Sequence, residues 1–132
     1  MTSFPLRIGL ITAEGSRAMS DFLDQLHSYK YPGEVVMYPA HMQGESTLKD
    51  VASGLRKLSQ LNLDAIVLTR GGGSAAALRW FDSPEIAYAL AEAKMPVISA
   101  IGHHDDVCVA ELISYHREKT PTAAADFFIT KI

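Results

Sequence analysis

The sequence predicts an α/β domain in which helices cover both faces of a parallel sheet. Two observations support this class. Short apolar runs rich in β-branched residues alternate with longer segments whose apolar residues recur at helical spacing, and this alternation continues along most of the 132 residues. A chain of this length is expected to form one domain, residues 1–132, with a substantial core.

Four segments are predicted as strands because their apolar residues are continuous, as in a strand buried on both faces. The predicted strands cover residues 7–12, 34–39, 65–69 and 96–101. Helices are expected at about 18–29, 75–80, 84–93 and 106–115, and after Ser46, where five apolar residues follow helical spacing: Leu48, Val51, Ala52, Leu55 and Leu58. Tyr115, His116 and Arg117 are interpreted as a helix end, where basic side chains suit the dipole.

Right-handed crossovers leave few arrangements for this order of elements. We expect a three-layer α/β/α sandwich, flavodoxin- or Rossmann-like, with strand order 2-1-3-4. Strands one, three and four are then neighbours, and ligands of such sheets bind at the carboxyl ends of the strands. The loops 13–17, 70–74 and 102–106 should meet there.

Charge and composition exclude several classes of protein. The net charge is −3, which argues against strong nucleic-acid binding by this domain alone. No segment approaches the roughly 18 uninterrupted apolar residues of a membrane helix, and residues 1–5 lack the pattern of a secretory signal. The single cysteine, Cys108, cannot form an intrachain disulfide. We therefore expect a cytoplasmic protein without membrane contacts.

The most informative motif is Arg70-Gly71-Gly72-Gly73-Ser74, directly after the third predicted strand. Glycine amides have no side chain to shield them, arginine presents a fork of donors, and serine can cap a helix whose N-terminus favours anions. A tight turn for close packing is the simpler alternative. We favour an anion cradle, with phosphate as its ligand, although the spacing matches neither a P-loop nor a dinucleotide fingerprint.

The second motif is Gly102-His103-His104-Asp105-Asp106, after the fourth strand. Histidine is the usual acid or base near neutral pH, and an aspartate three residues later could orient His103. Helix capping by one aspartate and metal binding are alternatives, and the spacing matches no standard zinc site.

Other candidates are weaker by pattern alone. Asp21 and Asp24 lie one helical turn apart, which is as typical of an exposed face as of a site. His41 and Gln43, after the second strand, rank below Asp21.

Taken together, these motifs resemble a known family. Three motifs occur in the order of the catalytic domain of the exodeoxyribonuclease VII large subunit, and together they resemble it: Thr69 to Ser74, Ala100-Ile101-Gly102-His103 with Asp106, and Thr120-Pro121-Thr122-Ala123-Ala124-Ala125. The similarity extends over nearly the whole chain.

This resemblance implies hydrolysis of single-stranded DNA, with Asp21, Arg70, His103 and Asp106 as the catalytic residues. It also implies that no cofactor is strictly required, with room for a divalent metal such as Mg²⁺. The partner would be a small helical subunit, held through regions outside this chain. The chain is expected to be a catalytic domain without the family's OB-fold and helical tail.

The chain departs from the family pattern at Ala76-Ala77, where the family typically has Glu-Asp. Two other functions therefore stay open. The domain could bind a phosphate or nucleotide without hydrolysing it, or it could act as a silent scaffold for assembly.

Overall fold

The computed structural model describes residues 7–30, 33–41, 46–69, 83–100 and the backbone of 116–117. Three helices and five strands lie within these ranges: β1 (Arg7–Thr12), α1 (Arg17–Ser28), β2 (Glu34–Pro39), α2 (Ser46–Ser59), β3 (Ala65–Thr69), α3 (Pro84–Glu92), β4 (Val97–Ala100) and β5 (His116–Arg117). The helices predicted at 75–80 and 106–115 lie outside them.

The strands form one parallel sheet of order β2-β1-β3-β4-β5. The predicted order 2-1-3-4 and the α/β sandwich are therefore confirmed. The interpretation of His116 and Arg117 as a helix end was wrong, because both pair in parallel with β4 as a fifth strand. A two-residue strand carries no periodicity, and its pairing depends on the free edge of β4 rather than on local sequence.

Helices cover both faces of the sheet, which gives the three layers. One face packs against α1, whose buried residues are Ala18, Phe22 and Leu26. The other face packs against α2 and α3, and their buried apolar side chains form a second cluster with Ile11, Ile66, Leu68 and Val97. Because successive strand residues point to opposite faces, both clusters draw on the same central strands.

Close packing of α2 on β2 requires one small residue. A Cβ atom on Gly54 would lie 2.8 Å from Cδ1 of Tyr38, closer than real Cβ contacts. Glycine therefore lets the tyrosine ring of β2 lie against the helix backbone, at a cost in helix propensity of about 1 kcal/mol relative to alanine.

Candidate active site at the carboxyl edge of the sheet

The register of the central strands places the C-terminal ends of three strands at one edge of the sheet. Ile11 pairs with Leu68, and Thr69 pairs with Ala100, so β1, β3 and β4 end side by side. On the other side of β1, Ala40 N donates to Thr12 O at 2.9 Å. This edge, which we call the carboxyl edge, is where ligands of open parallel sheets bind.

A short turn carries the chain from β1 into α1. Ser16 N donates to Ala13 O at 3.1 Å, and Gly15 takes a positive φ of 72°, a conformation that glycine adopts without a Cβ clash. Ser16 then caps α1, with its Oγ accepting from Met19 N at 3.1 Å. The first turns of α1 are therefore held at the carboxyl edge.

Asp21 lies near the start of α1. Of the residues predicted to be catalytic or to bind phosphate, it is the one that falls within the described ranges. Its side chain is partly buried, whereas Asp24, one turn later, is exposed. Side chains of a helix lean towards its N-terminus, which for α1 is the carboxyl edge. The structure thus separates two aspartates that the sequence pattern treated as similar.

The other predicted site residues lie outside the described ranges: Arg70, Gly71, Gly72, Gly73, Ser74, His103 and Asp106. Arg70 directly follows Thr69, the last residue of β3, and His103 follows Ala100, the last residue of β4, by three positions. Because Thr69 and Ala100 are register partners, the two motifs leave the sheet from neighbouring strands. Their convergence remains a prediction.

Three of the buried hydroxyl groups without a partner in the described part of the chain lie on strands that end at the carboxyl edge, and sequence reasoning missed them; the other two, of Thr47 and Ser59, lie at the two ends of α2. Thr12, Thr69 and Ser99 are fully buried, and their hydroxyls have no hydrogen-bond partner within the described part of the chain. Buried polar groups are nearly always paired, so each such hydroxyl calls for an explanation. The available signal was a hydroxyl residue at or near the end of an otherwise apolar strand.

Two of these hydroxyls point to the face that α1 covers. Leu10 pairs with Val67, and strand alternation places Thr12 and Thr69, each two residues later, on that same face. The carboxyl edge therefore offers two adjacent buried hydroxyls on the side of the sheet that carries Asp21. Such groups can bind a water molecule or a phosphate oxygen.

A histidine–aspartate pair lies at the end of β2. Oδ2 of Asp50, in the first turns of α2, accepts from the His41 backbone N at 3.0 Å and lies 2.6 Å from Nδ1 of the His41 ring. The backbone bond first, and the ring bond second, lower the pKa of Asp50 from its usual value of 3.8. Asp50 is therefore ionised at neutral pH, so Nδ1 is the nitrogen that carries the proton.

Within the described ranges, no three His, Cys, Asp or Glu side chains lie close enough together to hold a metal ion. None of the three described helices combines the length and apolar character needed to span a bilayer.

Comparison with known proteins gives one consistent family. The sequence model of "Exonuclease VII, large subunit" matches residues 1–132. Among curated proteins, the chain is 32% identical over 132 residues to the exodeoxyribonuclease 7 large subunit of Lachnoclostridium phytofermentans, covering 100% of this chain and 33% of that protein. It is 34% identical over 134 residues to the corresponding protein of Campylobacter jejuni subsp. doylei, covering 100% and 35%. For Desulfitobacterium hafniense the identity is 36% over 127 residues, covering 96% and 31%.

The chain thus spans about a third of the length of these relatives. The family model covers residues 1–132 and so includes all of the strands, helices and motifs described above. The chain belongs to the exonuclease VII large-subunit family.

Proposed function

We propose that this chain hydrolyses phosphodiester bonds in single-stranded DNA as the catalytic domain of an exonuclease VII large subunit. The observation that carries the proposal is the strand register: β1, β3 and β4 end side by side. One of the motifs that resemble the family follows β3 and another follows β4, and β1 leads into α1, which carries Asp21. A site made from three adjacent loops can surround one phosphate group.

The phosphate is held by the loop that follows β3. The amides of Gly71, Gly72 and Gly73 and the guanidinium of Arg70 donate to its non-bridging oxygens. The distribution of negative charge over these oxygens differs between the substrate and the transition state. Hydrogen-bond donors already in place for the transition state stabilise its charge, and this stabilisation is typically the largest contribution to the rate. Ser74 completes the cradle as a hydroxyl donor.

The proton transfers fall to the loop that follows β4. Water attacks the phosphorus atom, the bond between phosphorus and the leaving deoxyribose oxygen breaks, and a proton moves from water to the departing oxygen. His103 takes the proton from water as a base or supplies one to the leaving oxygen as an acid. Asp106 orients the imidazole in either role.

Asp21 positions the attacking water from the first turns of α1, where its partly buried side chain leans towards the carboxyl edge. A magnesium ion is not strictly required by this scheme. Mg²⁺ binds through one or two carboxylates and the phosphates of the substrate, so Asp21 is the described side chain that would hold it, and the ion would neutralise phosphate charge.

Because this chain is acidic, we expect an OB-fold and the small helical subunit to supply most of the affinity for DNA. We expect the assembly to work in the cytoplasm.

Substitution of Arg70 tests this function. Relatives are about three times longer, so the chain is assayed both alone and in place of the matching third of the Campylobacter large subunit, assembled with its small subunit. We expect Arg70→Ala to lower hydrolysis of a labelled single-stranded oligonucleotide by about 10²- to 10³-fold, as when one transition-state donor is removed.

Arg56→Ala is the matched control, because Arg56 is exposed in the last turn of α2, away from the carboxyl edge. It should leave the rate within about twofold, as expected for a surface substitution. Full activity of Arg70→Ala would overturn the assignment. Binding of the oligonucleotide without hydrolysis by the unaltered chimera would instead indicate a phosphate-binding module.

A further inference from the structure

The His41–Asp50 pair has no role in the hydrolysis proposed above, yet its geometry is that of a prepared donor site. One carboxylate oxygen, Asp50 Oδ2, accepts hydrogen bonds from both the backbone N–H and the ring Nδ1 of His41. The two bonds fix the ring relative to α2. They also leave Nε2, on the opposite side of the ring, as the nitrogen available to another molecule.

The ring is open to solvent. The His41 side chain is 75% exposed, whereas the Asp50 side chain is 31% exposed. A structural histidine would be expected to have its ring packed against the protein. Here the carboxylate lies against the protein surface, and the ring projects outwards from the end of β2.

The pair lies on the carboxyl edge. His41 follows Ala40, whose backbone N donates to the last residue of β1, Thr12. In the order β2-β1-β3, the end of β2 is two strand spacings from the end of β3, or about 10 Å. A single strand of DNA carries a phosphate at every nucleotide, so one held after β3 presents a neighbouring phosphate within reach of β2.

The charges beside the pair are mixed, with one cation, Lys49, and two carboxylates, Asp50 and Glu85. A cleft of about 390 Å³ beside it is lined by Lys49 and Asp50 from α2 and Glu85 from α3, with Ser46 and Leu48. Asp50 is occupied by His41, and Lys49 is exposed and close enough for its charge to act on Asp50. Nε2 of His41 and the Lys49 ammonium are the groups here that can donate to a phosphate outside the cleft, while the Glu85 carboxylate opposes an anion inside it.

We infer that His41, held by Asp50 and assisted by Lys49, is a second phosphate-binding site for the nucleic-acid strand, separate from the cradle after β3. Its ligand is a phosphate of a nucleotide neighbouring the one that is cleaved, and it binds through Nε2–H of the imidazolium. The inference rests on the proposed function for the identity of the strand. The site strengthens binding of the strand and fixes its position along the carboxyl edge, and it takes no part in the proton transfers.

The test combines binding with a direct view of the ring. The chain is titrated with a short oligodeoxythymidylate at pH 6, and the ring nitrogens of His41 are followed by nitrogen-15 NMR. We expect the Nε2 resonance to shift on binding at pH 6. We expect His41→Asn to weaken binding at pH 6 by about two- to fivefold, the range for an exposed charge contact.

His27→Asn is the matched control, since His27 is also exposed but lies in the last turn of α1, at the opposite edge of the sheet. It should change neither binding nor the His41 resonances. Unchanged affinity in His41→Asn, or a His41 ring that does not respond to a bound oligonucleotide, overturns the inference.

Failure of this site and failure of the proposed function give different results. Hydrolysis by the unaltered chimera with a silent His41 ring removes the second site and leaves the nuclease. A responding ring without hydrolysis keeps the phosphate site and removes the nuclease assignment. Absence of both hydrolysis and oligonucleotide binding removes both.

Discussion

The two edges of the sheet differ in how completely their polar groups are paired. At the amino edge, where the strands begin, Arg7 is surrounded by partners: its backbone N donates to Asp64 Oδ2 at 2.7 Å, its Nε to Glu34 Oε1 at 2.8 Å and one guanidinium nitrogen to Asn62 O at 2.8 Å. Asp64 N donates in turn to Arg7 O. These bonds tie the starts of β1, β2 and β3 together.

The carboxyl edge has the opposite character. Buried hydroxyls of Thr12, Thr69 and Ser99 lack partners within the described ranges, and the exposed His41 ring keeps one nitrogen free for a further bond. Unpaired buried groups cost stability, so a fold tolerates them where another molecule can use them. Within the described ranges, the bonds of Arg7 tie strands together at the amino edge, whereas the unpartnered buried hydroxyls of the strands lie at the carboxyl edge; that of Ser59, at the end of α2, is the exception on the amino side.

The largest effect that tests this contrast is expected at Asp21. Asp21→Asn keeps the size of the side chain and removes its charge, so the carboxylate can no longer orient water at the carboxyl edge. We expect hydrolysis by the chimeric large subunit to fall by about 10²-fold, the lower range for loss of a proton-transfer or water-positioning group. The rate on a labelled single strand measures it.

Asp24→Asn provides the comparison within the same helix. Asp24 is exposed where Asp21 is partly buried, so its substitution should leave the rate within about twofold. Equal losses in the two variants would mean that α1 contributes general negative charge rather than one positioned carboxylate.

A smaller effect, of another kind, is expected at the amino edge. Asp64→Ala removes the acceptor of the Arg7 backbone N–H, and we expect the free energy of unfolding to fall by about 1 kcal/mol, the usual net contribution of a hydrogen bond. Urea unfolding of the chain measures this change. The hydrolysis rate of the chimera should stay unchanged at a temperature where the variant is folded.

Glu34→Ala separates this backbone bond from the surface ion pair nearby. The Arg7 and Glu34 side chains are 41% and 63% exposed, so loss of their pair should lower the free energy of unfolding by less than about 0.5 kcal/mol. A rate in Asp64→Ala that falls as far as in Asp21→Asn would contradict the division of roles between the edges.

The strands, the helices and their order could be predicted from sequence, because they follow from local pattern, whereas the long-range bonds of Arg7 at the amino edge could not. Continuous apolar runs gave β1, β2 and β3 with the bounds that the structure shows. Helical spacing gave α1 and α3 within a residue, and it placed the start of α2 at Ser46 without setting its end. Strand four was predicted to begin at Pro96, one residue before the observed start at Val97, and its predicted last residue, 101, lies outside the described ranges.

The missed features at the carboxyl edge depend on contacts between separate elements. His41 ranked low because nothing adjacent to it in sequence suggests a partner, and Asp50, nine residues later, meets it only when α2 packs beside the end of β2. Thr12 and Thr69 resemble ordinary strand residues until the register places their hydroxyls side by side. A single sequence contains these residues but not the pairing that brings them together.

A further effect on stability concerns the pH dependence contributed by Asp50. Its pKa is lowered in the folded chain, chiefly because the carboxylate accepts the His41 backbone N–H, so the folded state favours the ionised form. A group of this kind contributes its stability above its unfolded pKa, near 3.8, and loses it as the pH falls through the lower folded value.

Asp50→Asn should therefore lower the free energy of unfolding at pH 6 by up to about 1 kcal/mol, the upper range for an exposed charged pair, with the deficit shrinking below pH 4. Urea unfolding between pH 3 and pH 7 measures both variants. Asp24→Asn controls for the general loss of one negative charge. A deficit in Asp50→Asn that stays constant down to pH 3 would show that the carboxylate charge does not hold His41, and the ring would then lose the anchor that the second phosphate site requires.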